Sequence, residues 1–225
     1  MIRLLHHQLD PASRLIRLMC AEYGVALELD QVIPWKREPQ FTAVSPAATL
    51  PVLIGAGTEP VVGPLACIQH IEQQHAPASV AGLVPGDPAA NAEMWRLLEW
   101  TMFKLNEEVT RYVLEEKLGK RARGEGTPDV SALRAAMANL SEHLLYFDWL
   151  LASRTWVGGE EMTLADFALA AHLSSLDYLG DVDWAGAGEA RDWYARMKSR
   201  PTFRPLLSDR LVGMPPSSSY ADLDF

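Results

Sequence analysis

The chain has 225 residues, of which 48% are hydrophobic and 22% charged, with a formal net charge of −9 at pH 7. This composition is typical of a globular protein with enough apolar material for one large domain or two small ones. The acidic balance disfavours generic attraction to nucleic acid or to anionic membrane surfaces. The only two cysteines, Cys20 and Cys67, exclude a disulfide framework and favour a reducing compartment.

The first third of the chain predicts an α/β unit. Asp10 followed by Pro11 supplies the N-cap and first-turn residues with which helices begin. The predicted elements are, in chain order, a strand over residues 2–6, a helix from Asp10-Pro11 to Gly24, a strand over 26–32, a polar loop over 34–39, a strand over 50–54 and a helix over 64–74.

The rest of the chain carries only helical periodicity. Amphipathic stretches cover residues 94–120, 130–151, 164–179 and 188–199. No apolar run reaches the roughly 18 residues needed to suggest a membrane span, and no secretory leader is evident, so we expect a cytoplasmic protein. The predicted organisation is an α/β domain over 1–78, a linker over 79–90, an all-helical domain over 91–208 and an extended acidic tail over 209–225.

Three motifs, in this order and spacing, resemble the glutathione transferase (GST) family. They are SPAATLPVL at residues 45–53, TLADF at 163–167 and WYARMKSRPTF at 193–203. The resemblance implies a thioredoxin-like α/β domain followed by an all-α domain. It also implies that Pro51 follows a cis peptide bond and that Leu50 presents its backbone to the cysteine of glutathione. The second motif has a structural interpretation, because Thr163 and Asp166 have the spacing of a capping box.

The resemblance places a thiol-activating hydroxyl near the start of the first helix. Asp10 occupies that position, and an ionised carboxylate donates no hydrogen bond and repels a thiolate. The alternative is that Asp10 is only a helix cap. Ser13, one turn into the helix, is the nearest residue that could replace the missing hydroxyl, so catalysis through Ser13 stays open.

The resemblance also places a Glu-Ser pair before the helix that follows the fourth strand, where it holds the γ-glutamyl end of glutathione. The corresponding residues here are Gly63 and Pro64. Proline has neither a hydroxyl nor a backbone N–H, and glycine has no carboxylate. We therefore expect a degenerate glutathione site at Asp10, Ser13, Leu50, Pro51, Gly63 and Pro64, no catalytic residue and no cofactor.

Two cationic segments are candidates for binding a protein partner. Trp35, Lys36 and Arg37 lie in the predicted loop, where they could also hold a small anion or simply be a solvated loop with one packed tryptophan. The second segment is a basic run over residues 117–123. It could equally be a solvated helix end whose cations complement the helix dipole. Its cations are Lys117, Lys120, Arg121 and Arg123.

The tail is a third candidate. It alternates aromatic, acidic and apolar residues, as short linear motifs that fold on binding do. The alternatives are a disordered end or a flap over the interdomain cleft. The predicted binding residues are Tyr220, Asp222, Leu223, Asp224 and Phe225.

Within the GST family, the chain resembles transferase-like proteins of bacterial cell division. That resemblance implies a non-catalytic homodimer that binds and curves polymers of the tubulin-like GTPase FtsZ at the division site and couples them to septal wall synthesis. A glutathione-dependent transferase using Ser13 and a dimeric scaffold for another partner remain the alternatives. No metal site is expected, because His6 and His7 have no further ligand at suitable spacing. Nucleic-acid binding and membrane insertion are likewise not expected.

Overall fold

A four-stranded mixed sheet forms the core of the N-terminal half. The computed structural model describes residues 1–77, 82–186 and 188–223. The strands are β1 (Ile2–His6), β2 (Leu27–Gln31), β3 (Val52–Ile54) and β4 (Val61–Val62). Their order is β2-β1-β3-β4, with β1 parallel to β2 and antiparallel to β3, and β3 antiparallel to β4. β4 was not predicted from the sequence, because two residues are too few to show the alternation of a strand.

Helices make up most of the remaining described structure. They are α1 (Pro11–Glu22), α2 (Pro39–Val44), α3 (Pro64–His75), α4 (Pro88–Glu99), α5 (Arg111–Leu114), α6 (Lys120–Arg123), α7 (Val130–Leu151), α8 (Leu164–Tyr178), α9 (Glu189–Ser199) and α10 (Arg204–Leu207). Two π-helical segments, Trp100–Thr110 and Glu115–Gly119, join α4, α5 and α6 into one long helix. No helix within the described ranges combines the length and the apolarity that crossing a bilayer demands.

The first helix begins as its sequence predicts. The Asp10 carboxylate accepts a hydrogen bond from the backbone N–H of Ser13 at 2.7 Å, and Pro11 occupies the first turn. After the helix, Gly24 adopts a left-handed backbone with φ of +69°. The apolar face of α1, including Leu15 and Met19, is fully buried and joins the main core.

The segment predicted as a polar loop is partly helical, which corrects the sequence prediction. Pro34–Lys36 is a 3₁₀ turn and Pro39–Val44 is α2, each with proline in its first turn. Phe41 on α2 is buried beside the sheet residue Leu5. Such short helices show no periodicity, so only the tertiary anchor at Phe41 distinguishes them from a loop.

The long helix begins earlier than predicted. Asp87 caps it by accepting the Ala90 N–H at 2.9 Å, and Pro88 is its first residue, inside the range 79–90 predicted as linker. Residues 78–81, which include the start of that linker, lie outside the described residues. The rest of the helix confirms the stretch predicted over 94–120 and extends it to Arg123.

Helix α8 is the centre of the helical half, and the structure buries it along its whole length. The predicted capping box is present at its start. Asp166 accepts hydrogen bonds from the backbone N–H groups of Thr163 and Val157, both at 2.8 Å, and from Trp193 Nε1 at 2.9 Å. A single buried carboxylate therefore joins the start of α8 to the preceding turn and to α9, which confirms the structural interpretation of the TLADF motif.

The tail packs against the helical half instead of extending into solvent. Tyr220 is fully buried, its hydroxyl donates to the Leu206 carbonyl at 2.6 Å, and its ring meets Tyr178 edge-on at 5.0 Å. Lys198 Nζ donates to the Ser219 carbonyl at 2.8 Å. This corrects the expectation that Tyr220 belongs to an extended binding motif, because its side chain serves the core.

Candidate functional site: the cleft between the two halves

A cleft of about 720 Å³ lies between the sheet half and the long helix. Asp10, Trp35, Arg37 and Leu50 line it from the N-terminal half. From the long helix, Arg111 and Tyr112 face the same space. The volume is within the range of small-molecule sites, and ionisable and aromatic groups converge in it.

The Leu50-Pro51 peptide bond is cis, as the family resemblance implied. Ser45 holds the preceding turn, since its hydroxyl donates to the Thr49 carbonyl at 2.9 Å and accepts the Thr49 N–H at 3.1 Å. Ala48 in this turn has a left-handed backbone with φ of +54°. The turn thus places Leu50 on the wall of the cleft.

The Asp10 carboxylate and the Ser13 hydroxyl are bound to each other. Ser13 Oγ donates to Asp10 Oδ2 at 2.6 Å, and the Ser13 side chain has no solvent exposure. Burial raises the pKa of Asp10 to about 6, although the hydrogen bonds from Ser13 and the charge of Arg14 oppose the rise. Ser13, the nearest residue that could replace the missing hydroxyl, therefore donates its hydroxyl proton to Asp10 in this structure.

Gly63 and Pro64 occupy the positions at which the family resemblance expects a Glu-Ser pair for the γ-glutamyl end of glutathione. In this structure they form the backbone turn that begins α3. Pro64 is the first residue of α3, which leaves that position without an N–H donor. Gly63 has φ of +93° and ψ of 158°, a region that is essentially restricted to glycine. Its N–H donates to the Pro51 carbonyl at 2.9 Å. A glutamate at position 63 would therefore need a different backbone as well as a different side chain.

Trp35 is an interdomain contact as well as a wall of the cleft. Its ring meets His7 edge-on at 5.0 Å. A Cβ atom added at Gly119 of the long helix would lie 2.9 Å from Trp35 Cδ1. The tryptophan therefore packs against the one residue type that leaves room for it, while the neighbouring Lys36 and Arg37 are exposed.

The basic run predicted as a candidate docking patch is largely paired with carboxylates within the chain. Lys117 is paired with Asp181, Lys120 with Glu116 and Arg123 with Glu115 and Glu125. Arg121 donates to the Gly213 carbonyl at 3.0 Å. Glu115, Glu116 and Glu125 are close to the run in the sequence, and Glu116 and Lys120 have the i,i+4 spacing of a helix pair, whereas Asp181 is distant and its pairing with Lys117 had no local signal.

At the end of the tail, Asp222 and Leu223 are exposed. The last two predicted binding residues, Asp224 and Phe225, lie outside the described residues.

The remaining candidate residues, two histidines and two cysteines, are buried and uncharged at pH 7. His6 and His7 are buried, and burial lowers the pKa of each to about 4, so both imidazoles are neutral at pH 7. Cys20 and Cys67 are buried free thiols whose pKa values burial raises to about 12. In the described part of the chain, no three His, Cys, Asp or Glu side chains are grouped to hold a metal ion.

Sequence reasoning missed Arg111 and Tyr112. Both belong to the predicted helix over 94–120, but their contribution to the cleft depends on which face of that helix meets the N-terminal half. The helix contains two π-helical segments, which shift its register by an amount that the apolar pattern does not encode. The only signal in the sequence was that a cationic residue, Arg111, is followed directly by an aromatic residue, Tyr112.

Comparison with known proteins decides the family. Residues 11–74 match the model of the glutathione S-transferase N-terminal domain, and residues 104–201 match that of its C-terminal domain. The chain belongs to the glutathione S-transferase family. The two matched segments correspond to the α/β half and the helical half, which confirms the fold predicted from the sequence.

The relatives within the GST family include both an FtsZ-localised protein and a protein titled glutathione S-transferase. FtsZ-localized protein A from Caulobacter vibrioides is 43% identical, with 99% of this chain and 98% of that protein covered. A solved structure titled FzlA from C. crescentus has a TM-score of 0.93 and 42% identity, covering 100% and 99% of the two chains. A structure titled glutathione S-transferase from Sinorhizobium meliloti has a TM-score of 0.95 and 40% identity, with both chains fully covered.

Proposed function

We propose that this GST-family chain is a non-catalytic adaptor that binds FtsZ polymers in the cytoplasm at the division site. The observation that carries the proposal is the 43% identity, across nearly the whole of both chains, to a protein named for its localisation with FtsZ. The cleft supports the non-catalytic part. Asp10 takes the place of the thiol-activating hydroxyl, Ser13 is bound to it, and Pro64 has no N–H for a substrate carboxylate.

Co-sedimentation with FtsZ polymerised in GTP tests the adaptor function. We expect the chain to pellet with polymers and to remain in solution when GDP replaces GTP. This chain has a net charge of −9, so we expect contact with an acidic polymer surface to depend on local cations such as Lys36 and Arg37 and to weaken with added salt. Absence from the pellet at low salt, with FtsZ polymers present, would contradict the proposal.

The finer functions follow from the same proposal. Binding as a homodimer would allow one adaptor to contact two sites on a polymer, which we propose as the basis of filament curvature and of coupling to septal wall synthesis. An apolar patch that includes Leu65 of α3 with Trp95 and Phe103 of the long helix supports self-association, because all three side chains are at least 40% exposed. A second copy of the chain is the proposed occupant of this patch.

Sedimentation velocity tests the homodimer. Phe103→Lys should convert a dimer to a monomer, while the matched control Val212→Lys, at a 98% exposed apolar side chain outside the patch, should leave the dimer intact. A monomeric parent chain at micromolar concentration would contradict the homodimer. Electron microscopy of FtsZ filaments with the parent chain and with Phe103→Lys then tests curvature.

The alternative function is a glutathione-dependent transferase. The observation in its favour is the 40% identity to a solved structure titled glutathione S-transferase, which is nearly as high as the identity to the FtsZ-localised relative. Calorimetric titration with glutathione separates the two. Millimolar or tighter binding, together with conjugation of an aryl halide, would favour the transferase over the non-catalytic adaptor.

A further inference from the structure

Three aromatic side chains form a stacked row across the long helix and α7. The Trp100 ring lies 4.4 Å from the Tyr146 ring at an interplanar angle of 22°, and the Tyr146 ring lies 6.1 Å from the Trp149 ring at 23°. Trp149 is 68% exposed, so the row ends in solvent. We call these three side chains the aromatic row. Its geometry sets the shape of an exposed apolar surface.

His143 on α7 joins the aromatic row to a carboxylate of the long helix. Trp100 Nε1 donates a hydrogen bond to His143 Nδ1 at 3.0 Å, and His143 Nε2 lies 3.0 Å from Glu108 Oε2. The His143 side chain is buried, so its two ring nitrogens depend on these two partners.

The two hydrogen bonds assign one protonation state to the imidazole. An indole N–H is only a donor, so His143 Nδ1 has to carry a lone pair. A carboxylate is only an acceptor, so His143 Nε2 has to carry the proton. This arrangement is the neutral Nε2–H tautomer. An imidazolium would keep its bond to Glu108, but its Nδ1–H would point at the N–H of Trp100, and two donors form no hydrogen bond.

The charged and titratable groups that face His143 come from the long helix and from α8. Lys104 and Glu108 form an ion pair on the long helix, and the hydrogen bond from Lys104 lowers the pKa of Glu108. His172 on α8 has a pKa of about 3 because it is buried. Burial also lowers the pKa of His143, although the Glu108 carboxylate opposes this. From pH 7.5 to pH 5, Lys104 and Glu108 stay charged and His172 stays neutral, so His143 is the member of this group that takes up a proton on acidification.

Cations that keep their charge at these pH values make the other polar contacts of the aromatic row. Lys104 Nζ lies 5.8 Å from the centre of the Trp100 ring, and Arg96 donates to the Tyr146 hydroxyl at 2.8 Å. Trp100, Lys104 and Glu108 all belong to the π-helical segment Trp100–Thr110, a rare geometry that is frequent at functional sites. Protonation of His143 therefore removes one contact of Trp100 and leaves the contacts of its neighbours in place.

We propose that His143 is a pH-sensitive switch beneath the aromatic row: the neutral Nε2–H imidazole fixes Trp100 at pH 7, and protonation releases its indole N–H and loosens the row. The consequence is an exposed aromatic surface whose shape depends on pH. The inference goes beyond the proposed FtsZ adaptor function. It is tested on this chain alone, so its outcome does not depend on that of the FtsZ experiments.

Nitrogen-15 NMR of the full chain tests the switch. The resonances of His143 and Trp100 are identified by their absence from the spectra of His143→Gln and Trp100→Phe. At pH 7.5 we expect a proton on His143 Nε2 and none on Nδ1. Between pH 7.5 and pH 5, the indole N–H resonance of Trp100 should move with the same midpoint as the imidazole resonances of His143.

Substitution of each partner should move the midpoint of the His143 titration in a different direction. Trp100→Phe keeps an aromatic ring in the row and removes the donor that favours the neutral imidazole, so the midpoint should rise by at least about 0.5 pH unit. Glu108→Gln removes the charge that favours the imidazolium, so the midpoint should fall. The matched control Trp149→Phe, at the exposed end of the row, should leave the midpoint unchanged.

His143→Gln provides a readout of the row itself. The glutamine carbonyl can accept from Trp100 and its amide can donate to Glu108, but the side chain does not titrate. Near-UV circular dichroism reports the fixed packing of aromatic rings. We expect the signal of the parent chain to change between pH 7.5 and pH 5 with the midpoint of His143, and the signal of His143→Gln to change less.

Three results would each overturn the inference. They are a proton on His143 Nδ1 at pH 7.5, an unchanged His143 midpoint in Trp100→Phe, and a Trp100 indole resonance that does not follow the His143 titration. Far-UV circular dichroism at each pH separates the switch from unfolding, because the helical signal should stay constant while the row changes. The tautomer at pH 7.5 is measured where no acid unfolding is expected.

Discussion

The hydroxyl of Ser13 lies 2.6 Å from Asp10 Oδ2, and the Ser13 backbone N–H lies 2.7 Å from the same oxygen. One carboxylate oxygen therefore receives both donors of the serine. The contact turns the place where GST chemistry expects a thiol-activating group into a helix cap with a satisfied acceptor.

Pro64→Ser should give the chain measurable affinity for glutathione. Serine restores both an N–H and a hydroxyl at the start of α3, and each charge-assisted hydrogen bond contributes about 1.5–3 kcal/mol. The control Pro64→Ala restores the N–H alone. We expect Pro64→Ser to bind at least about tenfold more tightly than Pro64→Ala by calorimetry. Equal binding by the parent chain and Pro64→Ser would show that the proline is not what limits the site.

Gly119→Ala should destabilise the interface between the two halves. A Cβ atom there would lie 2.9 Å from Trp35 Cδ1 and also clash with the Glu115 carboxylate, so the usual helical preference for alanine is outweighed by overpacking. Urea denaturation should show a loss of about 1–3 kcal/mol in the free energy of unfolding. In the control Gly86→Ala, the Cβ meets nothing within 4 Å, and stability should be unchanged or slightly higher.

Tyr220→Ala should cost about 3–5 kcal/mol in the free energy of unfolding, because the ring is fully buried against Tyr178. Tyr220→Phe keeps the ring and loses only the hydrogen bond to the Leu206 carbonyl, at a cost of about 1 kcal/mol. Leu223→Ala, at a 40% exposed position three residues on, should change stability by less than about 0.5 kcal/mol. Similar stability of all three variants would mean that the tail does not pack in solution.

Acidification should destabilise the protein between pH 6.5 and about 4. His6 and His7 have folded pKa values of about 4, below their ordinary value of 6.5, so the unfolded chain binds more protons in this interval. Buried His172, with a pKa of about 3, adds to the effect. Asp10 acts in the opposite direction between about 3.8 and 6, because its folded pKa is raised.

The measurement is the thermal midpoint from pH 8 to pH 4. It should be constant above pH 7, where these groups no longer change their charge. It should fall on acidification because the four imidazoles whose pKa burial lowers, His143 included, outweigh the three buried carboxyls whose pKa is raised, Asp10, Asp166 and Asp181. Asp10→Asn should make the fall steeper, since it removes one opposing group and keeps a good N-cap residue. A midpoint that rises on acidification would mean that the imidazoles are protonated in the folded chain.

Local sequence was sufficient to place the starts of the longer helices. The capping residues Asp10 and Thr163 mark the starts of their helices correctly, because an N-cap is a contact with residues two or three positions away. The Leu50-Pro51 bond was identified through the family motif. By contrast, β4 and α2 were missed, since elements of two and six residues are stabilised by their neighbours and carry almost no pattern of their own.

The sequence by itself determined the GST fold, the absence of a carboxylate at Gly63 and the absence of an N–H and a hydroxyl at Pro64, because these groups are properties of the residue type. Tertiary structure decided what the remaining polar groups do. It directed the Ser13 hydroxyl proton to Asp10, paired Lys117 with a distant carboxylate and buried Tyr220 of the tail against Tyr178. It also left Arg37 and Arg111 facing one cleft. Ion pairing and burial join residues that are far apart in the chain. Only the folded structure therefore shows which charged side chains are already paired and which can contact a ligand or partner.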